Sequence, residues 1–286
     1  MSTTTAVSIN LREISVAHSP DSDDAFMFYA LATNKVRASG LKFRHTLCDI
    51  ETLNRKALEG FYDVTAISFH AYPYIQEKYA LLASGGSVGE GYGPMIVAPR
   101  MYSPDEIKRV RIAVPGKLTT AYLALKLFAP QIETEVVPFD QIIPGVLAGK
   151  HAAGLIIHEG QLTYDKSGLH RIVDLGKWWH DSTGLPLPLG GNAIRRELGR
   201  ELMASVAHAL KQSIQYALEH RDEALSYAMQ FARDLDSGLA DKFVGMYVNE
   251  RTLDYGEEGR AAIRRLLEMG HEAGIIPQRA KVEFVE

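Results

Sequence analysis

The sequence predicts an α/β protein of two lobes, each a mixed, mostly parallel sheet flanked by helices, with a ligand cleft between the lobes. Between residues 14 and 157, short apolar strand signals alternate with amphipathic helix signals, a pattern typical of parallel strands joined by helical crossovers. The pattern restarts after a glycine-rich stretch around residues 85–93. A chain of 286 residues is long enough for two domains.

Three strand signals and two helix signals make up the first part of the chain. The strand signals lie at residues 14–17, 41–47 and 63–68, and the helix signals at about 23–31 and 51–58. Acidic residues favour the first turn of a helix and glycine favours its end. Asp23 and Asp24 therefore predict a helix start, and Gly60 predicts a helix end. The apolar residues 95–98 are interpreted as a strand that leaves this lobe.

The second lobe repeats this order of elements. Its strand signals lie at residues 110–114, 135–137 and 153–157, and its helices are predicted from Thr119 and Gln141. The remainder of the chain predicts helices, with a long amphipathic one over 202–232 and another over 259–269.

These signals predict a discontinuous first lobe, formed by residues 1–98 and 192–286, and a second lobe formed by residues 99–191. The C-terminal helices have apolar faces. Two alternatives stay open for those faces, packing within the chain and formation of a homodimer.

Charge and cysteine content exclude several classes of protein. The net charge is −4 and no run of lysines and arginines occurs, which argues against nucleic-acid binding. Cys48 is the only cysteine, as is usual in a reducing compartment. The N-terminus lacks an apolar signal-peptide core, and no apolar run approaches the roughly 20 residues that span a bilayer. These observations predict a cytoplasmic protein with a small-molecule partner and no membrane partner.

His158 is the candidate catalytic residue. It directly follows the strand signal at 153–157, and ligands of open α/β sheets bind at the carboxyl ends of strands. A histidine at that position can act as a general base, because its pKa lies near the operating pH. A structural hydrogen bond to the backbone at the strand end is the alternative role.

Ser68 and the pair Thr119-Thr120 are candidate ligand-binding residues. Ser68 ends a buried strand outside any Gly-x-Ser-x-Gly setting, so a hydrogen-bonding role is favoured over a nucleophilic one. The threonines stand at a predicted helix start, where free N–H groups and hydroxyls can bind an oxygen ligand. Ordinary N-capping is the alternative for this pair. Lys117 adds positive charge beside them or is simply solvated.

Two other segments and several absent motifs bear on function. For the cluster at residues 21–24, helix capping is favoured over metal binding, because the glycine and later glutamate of a calcium loop are missing. The pair Trp178-Trp179 and the proline-containing run 184–190 predict a hinge, a pocket wall or core packing. Neither a nucleotide-binding glycine loop nor a zinc-spaced Cys/His set is present, so no cofactor and no metal are expected.

Seven motifs of the chain occur together in one known family. They are Ser19-Pro20 with Asp24 and Phe26; Glu51-Thr52-Leu53-Asn54-Arg55; Gly85-Gly86 with Gly89, Gly91, Gly93 and Pro94; Val114-Pro115-Gly116 with Thr119-Thr120-Ala121-Tyr122; Leu155-Ile156-Ile157-His158-Glu159; Thr163-Tyr164; and Thr183-Gly184-Leu185-Pro186-Leu187-Pro188-Leu189-Gly190. On these motifs the chain resembles the 1,4-dihydroxy-6-naphthoate synthase family of the futalosine route to menaquinone, over about residues 14–260.

The resemblance implies a fold like that of type II periplasmic binding proteins, here in the cytoplasm. It implies a carbon–carbon lyase that converts cyclic dehypoxanthine futalosine to 1,4-dihydroxy-6-naphthoate without a cofactor. His158 would be the proton acceptor. Substrate contacts would fall on Ala66, Ile67, Ser68, Thr119 and Thr120, with Asn54 as a pocket neighbour. Because formation of an aromatic ring drives the reaction, one well-placed base in a closed, dry pocket would suffice.

The sequence departs from the family pattern at two positions. Asp23 stands where the family often has asparagine, which changes the local charge. Ala66 stands where some members carry a lysine suited to the substrate carboxylate, which leaves that charge to Lys117 or to a helix N-terminus. Two other functions stay open, a non-catalytic solute-binding protein for a small aromatic carboxylate and the sister chorismate dehydratase.

Overall fold

The computed structural model describes residues 11–157, 159–231 and 237–286, without the side chains of Pro104, Glu159 and Ser237. The strands are β1 (Arg12–His18), β2 (Leu41–Leu47), β3 (Val64–Ser68), β4 (Tyr79–Leu82), β5 (Ser87–Gly89), β6 (Met95–Ala98), β7 (Ile112–Val114), β8 (Thr134–Val136), β9 (Ala153–Ile156), β10 (His170–Asp174), β11 (Leu187–Arg195) and β12 (Phe284–Val285). The α-helices are α1 (Ser22–Ala32), α2 (Ile50–Glu59), α3 (Tyr72–Ile75), α4 (Pro104–Ile107), α5 (Thr120–Phe128), α6 (Phe139–Leu147), α7 (Leu175–Thr183), α8 (Arg200–Glu219), α9 (Arg221–Ala228), α10 (Ser237–Tyr247), α11 (Glu250–Leu253) and α12 (Gly256–Glu272).

The strands form two mixed sheets, which confirms the predicted α/β class. The first sheet has the order β12-β4-β11-β3-β1-β2, with β5 paired to β11, and the second has the order β10-β6-β9-β7-β8. In the first sheet β1 runs parallel to β2 and β3, whereas β11 runs antiparallel to β3, β4 and β5. In the second sheet β7 runs parallel to β8 and β9, whereas β6 runs antiparallel to β9 and β10. Antiparallel pairing is thus more frequent than the sequence predicted, because β6 and β11 return against the parallel strands.

The chain passes between the sheets twice. It leaves the first sheet between β5 and β6 and returns to it between β10 and β11. Hydrogen bonding therefore places residues 95–98 in the second sheet and the whole of β11 in the first sheet. The predicted lobe limits at 98 and 192 fall at the end of β6 and within β11, and the division into lobes stays a prediction.

Local signals explain where the helices begin and end. Asp49 caps α2 by accepting a hydrogen bond from the Thr52 N–H, and Gly60 ends it in the left-handed conformation at φ 72°. The helix predicted over 202–232 is interrupted at His220, which leaves the helical region at φ −118° and ψ 49°. No helix among the described residues is long and apolar enough to cross a membrane.

The apolar faces of the C-terminal helices are covered within the chain. Leu210 and Ile214 of α8 pack in one core with α1, and Leu266 and Leu267 of α12 pack in another with Tyr72. This packing is the first of the two alternatives for these faces. The homodimer stays a prediction.

The proline-containing run enters the central strand β11. Pro188 lies beside an irregularity in the β11–β5 pairing, where a missing N–H is tolerated. Trp179 is fully buried in α7 and donates from Nε1 to the Pro186 carbonyl at 3.0 Å. Core packing therefore accounts for Trp179, whereas Leu189 reaches the wall of a cleft.

Candidate functional site

A cleft that is open to solvent lies between elements of the two sheets and has a cavity volume of about 120 Å³. The first sheet and its helices supply Ser19, Asp21, Asp23, Asp24, Met27, Ile50, Ala66, Ile67, Ser68, Gly85, Ser87, Leu189, Gly190, Gly191, Asn192, Phe243 and Tyr247. The residues of and around the second sheet supply Pro94, Thr119, Thr120, Ala121, Ile157 and Gln161. Many of these residues follow the carboxyl ends of strands, so the cleft lies where open α/β sheets bind their ligands.

Ser68 is held in the cleft wall by Asn54. The Ser68 N–H donates to Asn54 Oδ1 at 2.9 Å, and Asn54 Nδ2 donates to Ser68 Oγ at 3.2 Å. Because the Ser68 hydroxyl accepts from Asn54, its own proton remains available for an oxygen in the cleft. Asn54 is fully buried on α2 and does not itself line the cleft. It positions Ser68 from one layer behind the wall.

Thr119 and Thr120 meet the cleft at the start of α5 and differ in role. The Thr119 hydroxyl caps the helix by accepting from the Tyr122 N–H at 3.1 Å, and it donates to the Gly116 carbonyl at 2.9 Å. The only proton of that hydroxyl is thus used within the chain. The Thr120 hydroxyl accepts from the His70 N–H at 3.4 Å and keeps its own proton. N-capping, the alternative role for the pair, is therefore the role of Thr119. Of the two threonines, Thr120 has the hydroxyl proton that can be donated to a ligand.

His70 joins the two parts of the site and was not singled out from the sequence. Its Nδ1 lies 3.2 Å from the Thr119 carbonyl, which can only accept, so Nδ1 carries the proton. Burial lowers the pKa of His70 to about 4, and the ring is therefore neutral at pH 7. The signal in the sequence is its position two residues after the strand end at Ser68.

Gln161 and Tyr247 make a second contact across the cleft. The Tyr247 hydroxyl on α10 donates to Gln161 Oε1 at 3.2 Å. Both residues line the cleft and both are buried. A polar pair of this kind, 86 positions apart in sequence, leaves no local pattern that sequence analysis could detect.

Three carboxylates line the wall at the start of α1. Asp24 accepts from the Ser19 N–H at 2.7 Å, and Asp21 accepts from the Ser19 hydroxyl at 2.9 Å. Burial, reinforced by the charges of Asp24 and then Asp21, raises the pKa of Asp23 well above its usual value. Among the residues that the structure describes, no group of three His, Cys, Asp or Glu side chains is arranged to hold a metal ion.

Replacing Asp23 with asparagine is expected to stabilise the unliganded protein at neutral pH. Because the pKa of Asp23 is raised, the native state keeps a proton that the unfolded chain releases above about pH 4. Stability therefore falls as pH rises from about 4 through the raised pKa of the native carboxyl. Asparagine removes this titration and preserves the side-chain shape. Urea unfolding between pH 4 and 9 should show a gain of roughly 1–3 kcal/mol at the alkaline end and little at pH 4.

Asp105 provides the control for this substitution, since its side chain is 88% exposed. Asp105→Asn should change the free energy of unfolding by less than about 0.5 kcal/mol across the same range. Parallel stability–pH curves for the wild type and Asp23→Asn would show that Asp23 is not the source of the pH dependence.

Five of the six predicted binding residues line one cleft, and the sixth, Asn54, lies behind its wall. Ser68, Ala66, Ile67, Thr119 and Thr120 all line it. His158 lies outside the described residues. Ile157, which precedes it, and Gln161 line the cleft. Lys117 is exposed and is not part of the wall.

Comparison with solved structures defines the fold more closely. A protein from Archaeoglobus fulgidus is 49% identical, with a TM-score of 0.89 over 92% of this chain and 98% of its own. The alkanesulfonate-binding protein of Xanthomonas axonopodis is only 11% identical, yet it superimposes with a TM-score of 0.70 over 94% of this chain and 96% of its own. The predicted periplasmic-binding-protein-like fold is thereby confirmed.

Comparison with characterised sequences identifies the family. A 1,4-dihydroxy-6-naphthoate synthase of Thermus thermophilus is 41% identical over 275 residues, which cover 96% of this chain and 100% of the relative. The enzyme of the same name from Streptomyces coelicolor is 37% identical over 270 residues, covering 92% and 95%. The model of the menaquinone biosynthesis family matches residues 14–272. The chain that builds this two-sided cleft therefore belongs to the menaquinone biosynthesis family.

Proposed function

We propose that this protein is a carbon–carbon lyase that converts cyclic dehypoxanthine futalosine to 1,4-dihydroxy-6-naphthoate in menaquinone biosynthesis. One observation carries the proposal: the chain aligns almost end to end with two synthases of that name, and Ser68, Thr119 and Thr120 line a single cleft. The family resemblance assigns substrate contacts to these same positions.

The walls of the cleft suit an aromatic bicycle with polar substituents. Met27, Ile50, Ile67, Leu189 and Phe243 present apolar surface. Such surface binds a flat ring and keeps water away from it. The polar groups project from the strand ends and from the start of α5, so they can orient the ring without covering its faces.

The start of α5 is the better of the two candidates for the substrate carboxylate. Lys117 is exposed and away from the cleft wall, whereas Thr119, Thr120 and Ala121 line it. The first N–H groups of a helix have no partner within the helix, and its dipole favours an anion there. We infer that these N–H groups and the Thr120 hydroxyl take over the role of the lysine that some relatives carry at the position of Ala66.

His158 is proposed as the general base, on the family resemblance of its motif. Removal of a proton from the substrate commits it to bond cleavage and to formation of the aromatic ring. The ring supplies the driving force, so the protein has to provide a base, a fixed orientation and exclusion of water.

A turnover assay tests the proposal directly. Purified protein is incubated with cyclic dehypoxanthine futalosine, and 1,4-dihydroxy-6-naphthoate is measured by liquid chromatography and mass spectrometry. Product formation proportional to enzyme concentration is expected. Tight substrate binding without product would instead indicate a solute-binding protein, and formation of 3-enolpyruvylbenzoate from chorismate would indicate the sister dehydratase.

We also propose the cytoplasm as the site of action. The single cysteine suits a reducing compartment, and the curated relatives are biosynthetic enzymes by name. Cell fractionation with activity measurement would test this, since activity in the periplasmic fraction contradicts it.

A further inference from the structure

Asn192 has an acceptor oxygen that nothing within the described chain satisfies. The residue lies in β11, is 1% exposed and contributes to the cleft wall. Its Nδ2 donates to the Gly85 carbonyl at 2.7 Å. Because a carbonyl can only accept, this bond fixes which end of the amide is oxygen. Oδ1 is left buried and without a hydrogen-bond partner.

This unpaired oxygen is distinguished by its place in the fold. Buried polar atoms are nearly always paired, and an exception calls for an explanation such as an unmodelled water or ligand. Among the described residues, four other side-chain atoms share the condition, namely His45 Nε2, His70 Nε2, Arg195 Nε and the Tyr255 hydroxyl. None of those four residues lines the cleft, whereas Asn192 does.

The surroundings of Asn192 hold its amide at the ligand-binding edge of the sheet. Asn192 stands opposite Ala66 in the antiparallel β11–β3 pair, and paired residues project to the same face. A Cβ atom on Gly85 would lie 2.5 Å from Asn192 Nδ2, and Gly85 has φ 83°. Only glycine at position 85 allows both this backbone conformation and the close approach of the amide.

We propose that Asn192 is a specificity-determining residue that accepts a hydrogen bond from a ring hydroxyl of the bound dihydroxynaphthoate or of its precursor. The proposal rests on the function proposed above, because that function places a hydroxylated ring in the cleft. An amide oxygen accepts and does not donate. The Asn192 amide oxygen therefore favours a ligand with a hydroxyl over one with an ether or an unsubstituted carbon at that ring position. A ligand without a hydrogen-bond donor would leave this buried acceptor unpaired, so the site should discriminate strongly against it.

A ligand-by-variant cycle tests this inference. Binding of three ligands to the wild type and to Asn192→Ala is measured by calorimetry under anaerobic conditions, which keep the hydroquinone reduced. The ligands are 1,4-dihydroxy-6-naphthoate, its dimethyl ether and 2-naphthoate. Asn192→Ala should lower the affinity for the dihydroxy ligand roughly tenfold or more, and the affinity for each of the other two ligands by less than about threefold.

Leu189→Ala is the matched control, since Leu189 lines the same cleft and its side chain is apolar. Leu189→Ala should lower the affinity for all three ligands by a similar factor. If Asn192→Ala does not fold, the wild type alone still tests the inference, because it should prefer the dihydroxy ligand to the dimethyl ether by roughly tenfold or more.

The outcomes separate this inference from the proposed function. Equal weakening of all three ligands by Asn192→Ala, with turnover by the wild type intact, would show a purely structural amide whose oxygen is satisfied by an internal water. That result overturns the inference and leaves the function standing. A wild type that neither forms nor binds the dihydroxynaphthoate overturns both.

Discussion

Replacement of His158 by alanine or by glutamine is expected to abolish turnover of cyclic dehypoxanthine futalosine and to leave ligand binding measurable. General bases typically contribute about 10²- to 10⁴-fold to a rate. We expect kcat to fall by at least about 10³-fold, because the reaction asks for little else from the protein than proton removal and orientation. Stopped assays over hours, with mass-spectrometric detection, measure this loss. Product affinity should change by less than about fivefold.

A second histidine provides the control for this prediction. His180 is exposed near the end of α7 and does not line the cleft. His180→Gln should retain kcat within about twofold of the wild type, as surface substitutions away from a site usually do. Full activity in both His158 variants would remove His158 from the mechanism and direct attention to the carboxylates at the start of α1.

The predictable part of the fold is the part that short-range chemistry determines. Gly60 ends α2 in a left-handed conformation that glycine adopts readily, and Thr119 caps α5 through its own hydroxyl. Both devices involve residues close in sequence, so a pattern reveals them. The alternation of strands and helices likewise predicts two sheets flanked by helices before any contact is known.

The unpredicted part depends on partners distant in the chain. β11 contains a proline and two glycines, which weaken a strand signal, yet it pairs with β3, β4 and β5 because the buried backbone N–H and C=O groups of these strands need hydrogen-bond partners. His220 interrupts a long amphipathic pattern that gives no sign of a break. For β11, pairing with strands distant in the chain overrides what local propensity indicates.

The candidate site shows the same division. Ser68, Thr119 and Thr120 stand at strand and helix ends, where sequence reasoning looks for ligand-binding groups. Asn192 lies within β11 and has no such position at the end of an element. Its significance lies in one unpaired oxygen, and pairing is visible only when the residues around it are in place. The role of His158 comes from family resemblance, since a histidine after a strand has several structural uses.

Asn54→Ala is expected to have the largest effect on stability among the substitutions considered at the site. Asn54 is fully buried and makes both hydrogen bonds that hold Ser68. Its removal leaves the Ser68 N–H buried without that acceptor and opens a small cavity under the wall. Each consequence is destabilising, and together they should lower the free energy of unfolding by roughly 2–4 kcal/mol, as measured in urea.

Arg55→Ala is a control on the neighbouring position of the same helix. The Arg55 side chain is 66% exposed and pairs with Glu51 at 3.4 Å, so its loss should cost less than about 1 kcal/mol. Ser68→Ala separates the two bonds of Asn54, because it removes the hydroxyl and keeps the backbone N–H. In the Ser68→Ala background, Asn54→Ala should cost less than in the wild type, and the difference measures the side-chain bond.

Asn54→Ala is also expected to weaken substrate binding through Ser68. A Ser68 that is no longer held by Asn54 can rotate away from the cleft, so its hydroxyl donates to the ligand for a smaller fraction of the time. Asn54→Ala should therefore raise KM by roughly tenfold while kcat changes less, because it weakens a contact made before and during the reaction alike. An unchanged KM together with the expected loss of stability would show that Ser68 supports the fold and does not contact the substrate.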